Sequence, residues 1–338
     1  MRTTSRLALT GIATAAALTL AACGGSGDAA GSGDGKTMKL ALNQTEDHPS
    51  FIALEAFGEE LSEATDGRWD IEVYPNATLG AQDETIQLVS DGSIDLSIVS
   101  APQLENLNKD FVVFSLPTVF DSVDTQMSTI NDMDVVGDVY ASLEDSHKFT
   151  VVGGITQGAR SFYTKDGAVT TPADMQGLKV RVQESPVFIS MMEALGASPT
   201  PMAFGEVYTG LQSGVIDGAE NNEVSYFTQK HFEVAPYFSY SRHLIGADFL
   251  IAGTPVLESM SEEDRAAFDE AWQNTWKYHT ELWNEATEEA ITEAEAGGAT
   301  FTEVDAQAFA DALSPLIDQF VTTDTQRALY DGIKGAAE

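Results

Sequence analysis

Arg181 lies inside a short apolar stretch, Leu178-Lys179-Val180-Arg181-Val182, whose residue types read as a β-strand. A guanidinium buried there needs an anionic partner, because an unpaired buried charge is costly. The only carboxylate beside it in sequence, Glu184, starts the next turn. The chemistry this suggests is recognition of an anion. Arginine presents a planar fork that matches a carboxylate, which lysine does not. Asn221 follows a second strand, Val215–Ala219, and its amide can donate to or accept from a hydroxyl or carboxylate oxygen. Arg160 opens a further strand after a glycine-bearing loop and is a second candidate donor set; Phe204 is a candidate wall. Internal alternatives stay open on these residues alone. Arg181 can pair with Glu184 or Glu220, and Arg160 can lie on the surface.

The elements that must position these residues run from Gly177 to Asn222. They read as strand, helix (about Val187–Leu195), a loop with Pro199 and Pro201, helix (about Gly205–Gln212) and strand. Strand ends in such α/β layers are where ligands are met. Around this stretch, strands are expected at 38–43, 69–74, 94–99, 149–155, 160–164, 240–243, 248–252 and 301–304. Helices are expected at 50–65, 82–90 and 124–143, the last with a break at Gly137, and an aromatic helix at 226–237. Strands alternating with helices predict an α/β fold. Ser261 followed by Glu262-Glu263-Asp264 caps a long helix whose apolar spacing holds to Ala296. Some 36 residues reach roughly 54 Å, enough to cross two lobes.

Composition narrows the function. The chain carries a formal charge of −36. Removal of a leader ending before Cys23 would take away only Arg2 and Arg6, leaving 15 Lys and Arg against 53 Asp and Glu, a net −38. Nucleic acid, which requires a basic footprint, is excluded as a partner. Five of those 15 basic residues fall between Lys148 and Arg181, the local positive charge an anion site needs. Residues 1–22 read as a lipoprotein signal peptide. The basic start and the apolar stretch Leu7–Leu20 are followed by Leu20-Ala21-Ala22-Cys23, so Cys23 is the expected lipidation site. Residues 23–36 read as a flexible tether. Cys23 is the single cysteine, so no intramolecular disulfide forms. GxxxxGK[ST], HExxH, GxSxG and CxxC are absent, and the five histidines are scattered. No catalytic residue, metal or cofactor is expected, and an enzyme acting on acidic sugars is the competing reading.

Taken in order, a series of short pieces resembles one family. They are His48-Pro49, Thr65-Asp66-Gly67-Arg68, Tyr74-Pro75-Asn76, Ser115-Leu116-Pro117, Gly158-Ala159-Arg160, and Pro172 to Arg181 (PADMQGLKVR). Leu195-Gly196-Ala197, Glu206-Val207-Tyr208 and Val215 to Asn221 continue the series. The chain resembles the extracytoplasmic solute-binding proteins of TRAP (tripartite ATP-independent periplasmic) transporters, in the dicarboxylate-binding branch. The runs Arg181 to Ser185 and Glu220-Asn221-Asn222 look like its sugar-acid, or uronate-type, members. The resemblance implies a two-lobe, periplasmic-binding-protein-like (type II) α/β fold with a domain-spanning helix. Lobe I would be 37–158 plus 247–286, and lobe II 159–246 plus 287–338. It implies that Arg181 pairs with a ligand carboxylate and that Arg160 and Asn221 assist. Phe204 would line the cleft, with Ser185, Asn43 and His48 contributing. The function implied is a monomeric receptor that closes around a small sugar acid (uronate or aldonate) and delivers it to the integral membrane subunits. It would be lipid-anchored to the outer face of the cell membrane or periplasmic. A C4-dicarboxylate or a 2-keto or 2-hydroxy acid is the alternative ligand.

Overall fold

The computed structural model describes residues 35–335. The leader, Cys23 and nearly all of the tether lie outside the described residues. Among the described residues, nine strands form one continuous sheet. They are β1 (Lys36–Ala41), β2 (Trp69–Tyr74), β3 (Leu96–Ser100), β4 (Phe149–Thr164), β5 (Lys179–Val182), β6 (Ser198–Pro201), β7 (Gly218–Asn221), β8 (Tyr237–Gly253) and β9 (Thr300–Glu303). Their order is β2-β1-β3-β8-β4-β7-β5-β6, with β9 also on β8.

The two long strands β4 and β8 are antiparallel and form a spine. At one end, Asp248 to Ala252 of β8 pairs with β3, which brings β1 and β2. At the other end, Ser161 to Thr164 of β4 pairs with β7, which brings β5 and β6, while Tyr237 to Tyr240 of β8 pairs with β9. Each end of the spine thus carries its own lobe of mixed strands and helices.

Several expected elements merge or move. The strands at 149–155 and 160–164 are one strand, as are those at 240–243 and 248–252. Glycines there read as breaks in sequence, but they serve close packing and a bulge. A β-carbon on Gly246 would lie 3.0 Å from Arg160 Cδ and closer still to Gln157 Oε1. Gly158 sits at φ 62°, where β4 shifts register between Thr156 and Ala159. The Pro199 loop is instead the strand β6, which holds a sheet edge, where proline is tolerated. The helix expected at 124–143 breaks at Asn131-Asp132, not at Gly137. Asn131 bonds to Gly154 of β4, and Asp132 caps the next helix. The aromatic helix is shorter, Glu223–Thr228, followed by Lys230 at φ 56°. The strand expected at 215–219 forms as β7, three residues later, so Asn221 ends the strand and does not follow it.

The long helix spans Glu262–Ala296. Phe268, Ala271 and Trp272 near its start pack with Leu40, Phe57 and Leu250 in the core of the first lobe. Ala294 near its end packs with Tyr163, Tyr226 and Phe238 in the core of the second. Trp283, between them, packs with Val224 and Ala290. Trp272 and Trp283 are thus core residues, as their spacing suggests. Among the described residues, no helix is long and apolar enough to cross a membrane.

Candidate functional site

A cavity of about 470 Å³ is lined from both lobes and from the spine, a size typical of small-molecule sites. Arg181, Arg160, Asn221, Phe204 and Asn43 all line it. Ser185 and His48 do not.

Arg181 is 3% exposed at the end of β5. Its Nε and Nη2 both donate to the Met202 carbonyl, at 3.0 and 2.8 Å. Neither Glu184 nor Glu220 forms an ion pair with it, and Nη1 makes no hydrogen bond among the described residues. Burial lowers its pKa to about 10, with Glu220 opposing at longer range. It remains a cation at neutral pH. The Phe204 ring centroid is 5.8 Å from the guanidinium carbon.

Arg160 differs from expectation. Nε and Nη2 donate to the two carboxylate oxygens of Glu220 at 2.6 and 2.7 Å. Nη2 also donates to the Glu220 carbonyl, and Nη1 donates to Gln157 Oε1 and Asn221 Oδ1. Those contacts engage all five N–H groups that an arginine owns. Arg160 therefore has no donor left for a ligand, although its side chain reaches the wall. The β4–β7 register makes this pairing, since Ser161 lies opposite Asn221 and Phe162 opposite Glu220. Burial alone would raise the pKa of Glu220; Arg160 and His243 overcome it and hold the carboxyl below its usual range.

The same network orients Asn221. Its Oδ1 accepts from Arg160 Nη1 (2.8 Å), the Asn222 backbone N–H (2.9 Å) and Asn222 Nδ2 (3.0 Å). The amide is thereby fixed with its oxygen inward, and Nδ2 is the group left for the cavity. Sequence left Asn221 as donor or acceptor; the structure makes it a donor.

Ser185 and His48 are corrections. Ser185 caps the helix Pro186–Ala194, its Oγ accepting from the Val187 and Phe188 N–H groups. His48 caps the helix Pro49–Ala64, its Nδ1 accepting from the Ser50 N–H. Burial lowers the His48 pKa to about 3, so it is neutral. Residue types that cap helices are also ligand-binding types, so sequence could not separate the roles.

The reading missed Gln44, Gln82, Ser100, Gln157, Gln183, Met202 and Asp248, which also line the cavity. Gln183 was findable, because it lies two residues from Arg181 and shares its face of the strand. Ser100 Oγ links the lobes, lying within hydrogen-bond distance of Gln82 Oε1 (2.8 Å) and Gln183 Oε1 (2.6 Å), with its single O–H donated to one of them at a time. Asp248 is 3% exposed, a carboxylate in an apolar strand run. Gln157 Nε2 donates to its Oδ1. Burial pushes its carboxyl up to about 6, opposed by Gln157 and Arg160.

Residues 40–324 match the model of the bacterial extracellular solute-binding proteins, family 7. The chain belongs to this family. A solute-binding protein of Chromohalobacter salexigens is 38% identical over 275 residues, 81% of each chain. Among solved structures, this family 7 protein is similar to a TRAP periplasmic solute-binding protein of Anaerococcus prevotii with bound D-glucuronate. The TM-score is 0.86 and the identity 38%, over 89% of this chain and 97% of that one. A second, from Xanthobacter autotrophicus with bound β-D-galacturonate, has TM-score 0.83 and 32% identity, over 88% and 99%. The family 7 chain is thus a TRAP solute-binding protein with the two-lobe α/β fold, and its homologues are receptors rather than enzymes.

Beside Ser185 lies Glu105 of the helix Ala101–Glu105, whose two carboxyl oxygens are buried without a hydrogen bond among the described residues. Burial pushes this carboxyl from 4.5 up to about 8. The Ser185 and Ser115 hydroxyls pull the other way, without reaching ordinary hydrogen-bond geometry. The folded chain keeps a proton that the unfolded chain releases above about pH 4.5. Stability from this residue is therefore complete below that pH and is lost as pH rises toward 8. Glu105→Gln is expected to flatten the fall in melting temperature over this range and to stabilise the protein by ~1–3 kcal/mol at the top of it. Melting curves with identical pH slopes for both proteins would count against this role.

Proposed function

We propose that this protein is the receptor of a TRAP transporter for a small sugar acid of the uronate class. The observation that carries the reading is Arg181, a buried cation without a carboxylate partner among the described residues, in the wall of an inter-lobe cavity. Its guanidinium takes the ligand carboxylate and Asn221 Nδ2 donates to the same group, while Phe204 walls the cavity. Similarity to the glucuronate-bound and galacturonate-bound proteins supports the uronate class. Lobe I comprises residues 37–158 and 247–286, and lobe II 159–246 and 287–338. Hinge closure between them buries the ligand, which the receptor, acting as a monomer, delivers to integral membrane subunits without chemical change. Calorimetry with D-glucuronate and D-galacturonate tests this. Micromolar affinity, about −8 kcal/mol, is expected for at least one. No heat and no thermal shift with either would overturn the uronate class, and turnover of a bound uronate would overturn the receptor role.

Cys23 lies outside the described residues, and its part in the reading comes from the Leu20-Ala21-Ala22-Cys23 run. Lipid on Cys23 anchors the receptor to the outer face of the cell membrane. Cys23→Ala is expected to move the protein from the membrane fraction to the soluble extracytoplasmic fraction. Continued retention on the membrane would refute the anchor.

A further inference from the structure

The cavity wall is chemically lopsided. The second lobe offers donors, Arg181 and Asn221 Nδ2. The first lobe and the spine offer acceptors. Asn43 Oδ1 and Gln44 Oε1 are buried with no hydrogen-bond partner among the described residues, and Asp248 presents a carboxylate. Asp248 carries the argument, because a carboxylate is an acceptor at both oxygens, whereas either amide can be turned to present its NH₂. Its place follows from register. Asp248 of β8 lies directly opposite Ser100 of β3, so the two side chains share one face. The Ser100 hydroxyl is engaged by Gln82 and Gln183. One oxygen of Asp248 accepts from Gln157, and the other makes no hydrogen bond within the described residues. Arg160, the cation that acts on it, has committed every N–H elsewhere.

We infer that Asp248 is the specificity-determining residue of this cavity, accepting a hydrogen bond from a ligand hydroxyl and excluding a second carboxylate. The inference rests on the reading of Arg181 as the carboxylate site. A hydroxyl facing Asp248 completes a charge-assisted hydrogen bond, the stronger kind. A carboxylate facing it meets a like charge and has no donor to offer. The exposed residues Asp83, Glu84, Glu184 and Glu206 also line the cavity and add to the same bias. The site thus takes a polyhydroxy monoacid and rejects diacids, including diacids of the same carbon number.

The test is calorimetry of the full-length protein and its Asp248→Asn variant with D-glucuronate, D-glucarate and succinate. Asparagine keeps the shape, removes the charge and can donate. Wild type is expected to prefer glucuronate over glucarate by at least about 100-fold. In Asp248→Asn, glucuronate affinity falls at least about 10-fold, and the glucuronate-to-glucarate ratio shrinks by a similar factor or more. Asp248→Ser, judged by the same ratio, serves if the asparagine variant does not fold. A ratio that stays within about threefold of wild type, with glucuronate still bound by wild type, overturns the inference and leaves the uronate reading standing. Wild type that binds no uronate overturns both.

Discussion

Arg181→Lys is expected to weaken uronate binding by at least about 100-fold, roughly 2.7 kcal/mol, although the charge is kept. The reason is geometric. The guanidinium already gives Nε and Nη2 to the Met202 carbonyl, which fixes its plane and leaves Nη1 for the ligand. An ammonium is a point charge on a shorter reach and cannot satisfy Met202 and a carboxylate together. Arg181→Met removes the charge as well and is expected to abolish binding. Its effect on the empty protein runs the other way. A buried cation with no counter-charge is a cost to the fold, so the ligand-free melting temperature should hold or rise. Binding falls while stability does not, and that opposite pair of signs separates a ligand site from a structural ion pair. Affinity within threefold of wild type for the lysine variant would remove Arg181 from the site.

Glu220→Gln is the second large effect, and it falls on the fold. Glu220 is fully buried and is the counter-ion of Arg160. Breaking a buried pair from one side leaves the other charge uncompensated, at about 3–5 kcal/mol. For a chain of this size that corresponds to a fall in melting temperature of about 5–8 °C. The exposed pair Arg242–Glu303 provides the internal contrast. Glu303→Gln is expected to cost no more than ~1 kcal/mol, since exposed pairs contribute little. Glu220→Gln should also loosen Asn221, whose amide is held by Arg160, and so weaken uronate binding further. Equal melting temperatures for the two variants would show that the buried network does not hold the second lobe.

Much of the cavity lining was legible because charge in an apolar strand has few explanations. Arg181 stood out for that reason, and β5 carries it where expected. Arg160 was legible as a pocket residue but not as a committed one. Its partner is Glu220, 60 positions away in sequence, and only the β4–β7 register brings them together. Ser185 and His48 were misassigned because capping and ligand binding use the same side chains. Asp248 was passed over as one polar residue in a strand, since nothing local says which face a strand turns to a cavity. The long helix was read almost to the residue, because its cap and spacing are local signals. The strands β4 and β8 were each divided in two, because glycines placed for close packing, Gly158 against Trp283 and Gly246 against Gln157, look the same in sequence as glycines placed for a turn.

The continuity of β4 and β8 has a consequence for how such a receptor changes over generations. Both lobes hang from these two strands, and side chains alternate faces along them. Deleting a single codon between Gly246 and Asp248 would turn Asp248 away from the cavity and misalign every partner beyond it. A change of length in the spine therefore shifts the register of everything beyond it unless a bulge such as the one at Gly158 absorbs it, while single substitutions along it are local. A lineage that acquires a new nutrient does so most simply by exchanging side chains at fixed positions on these strands, with length varying in the loops at either end and at bulges.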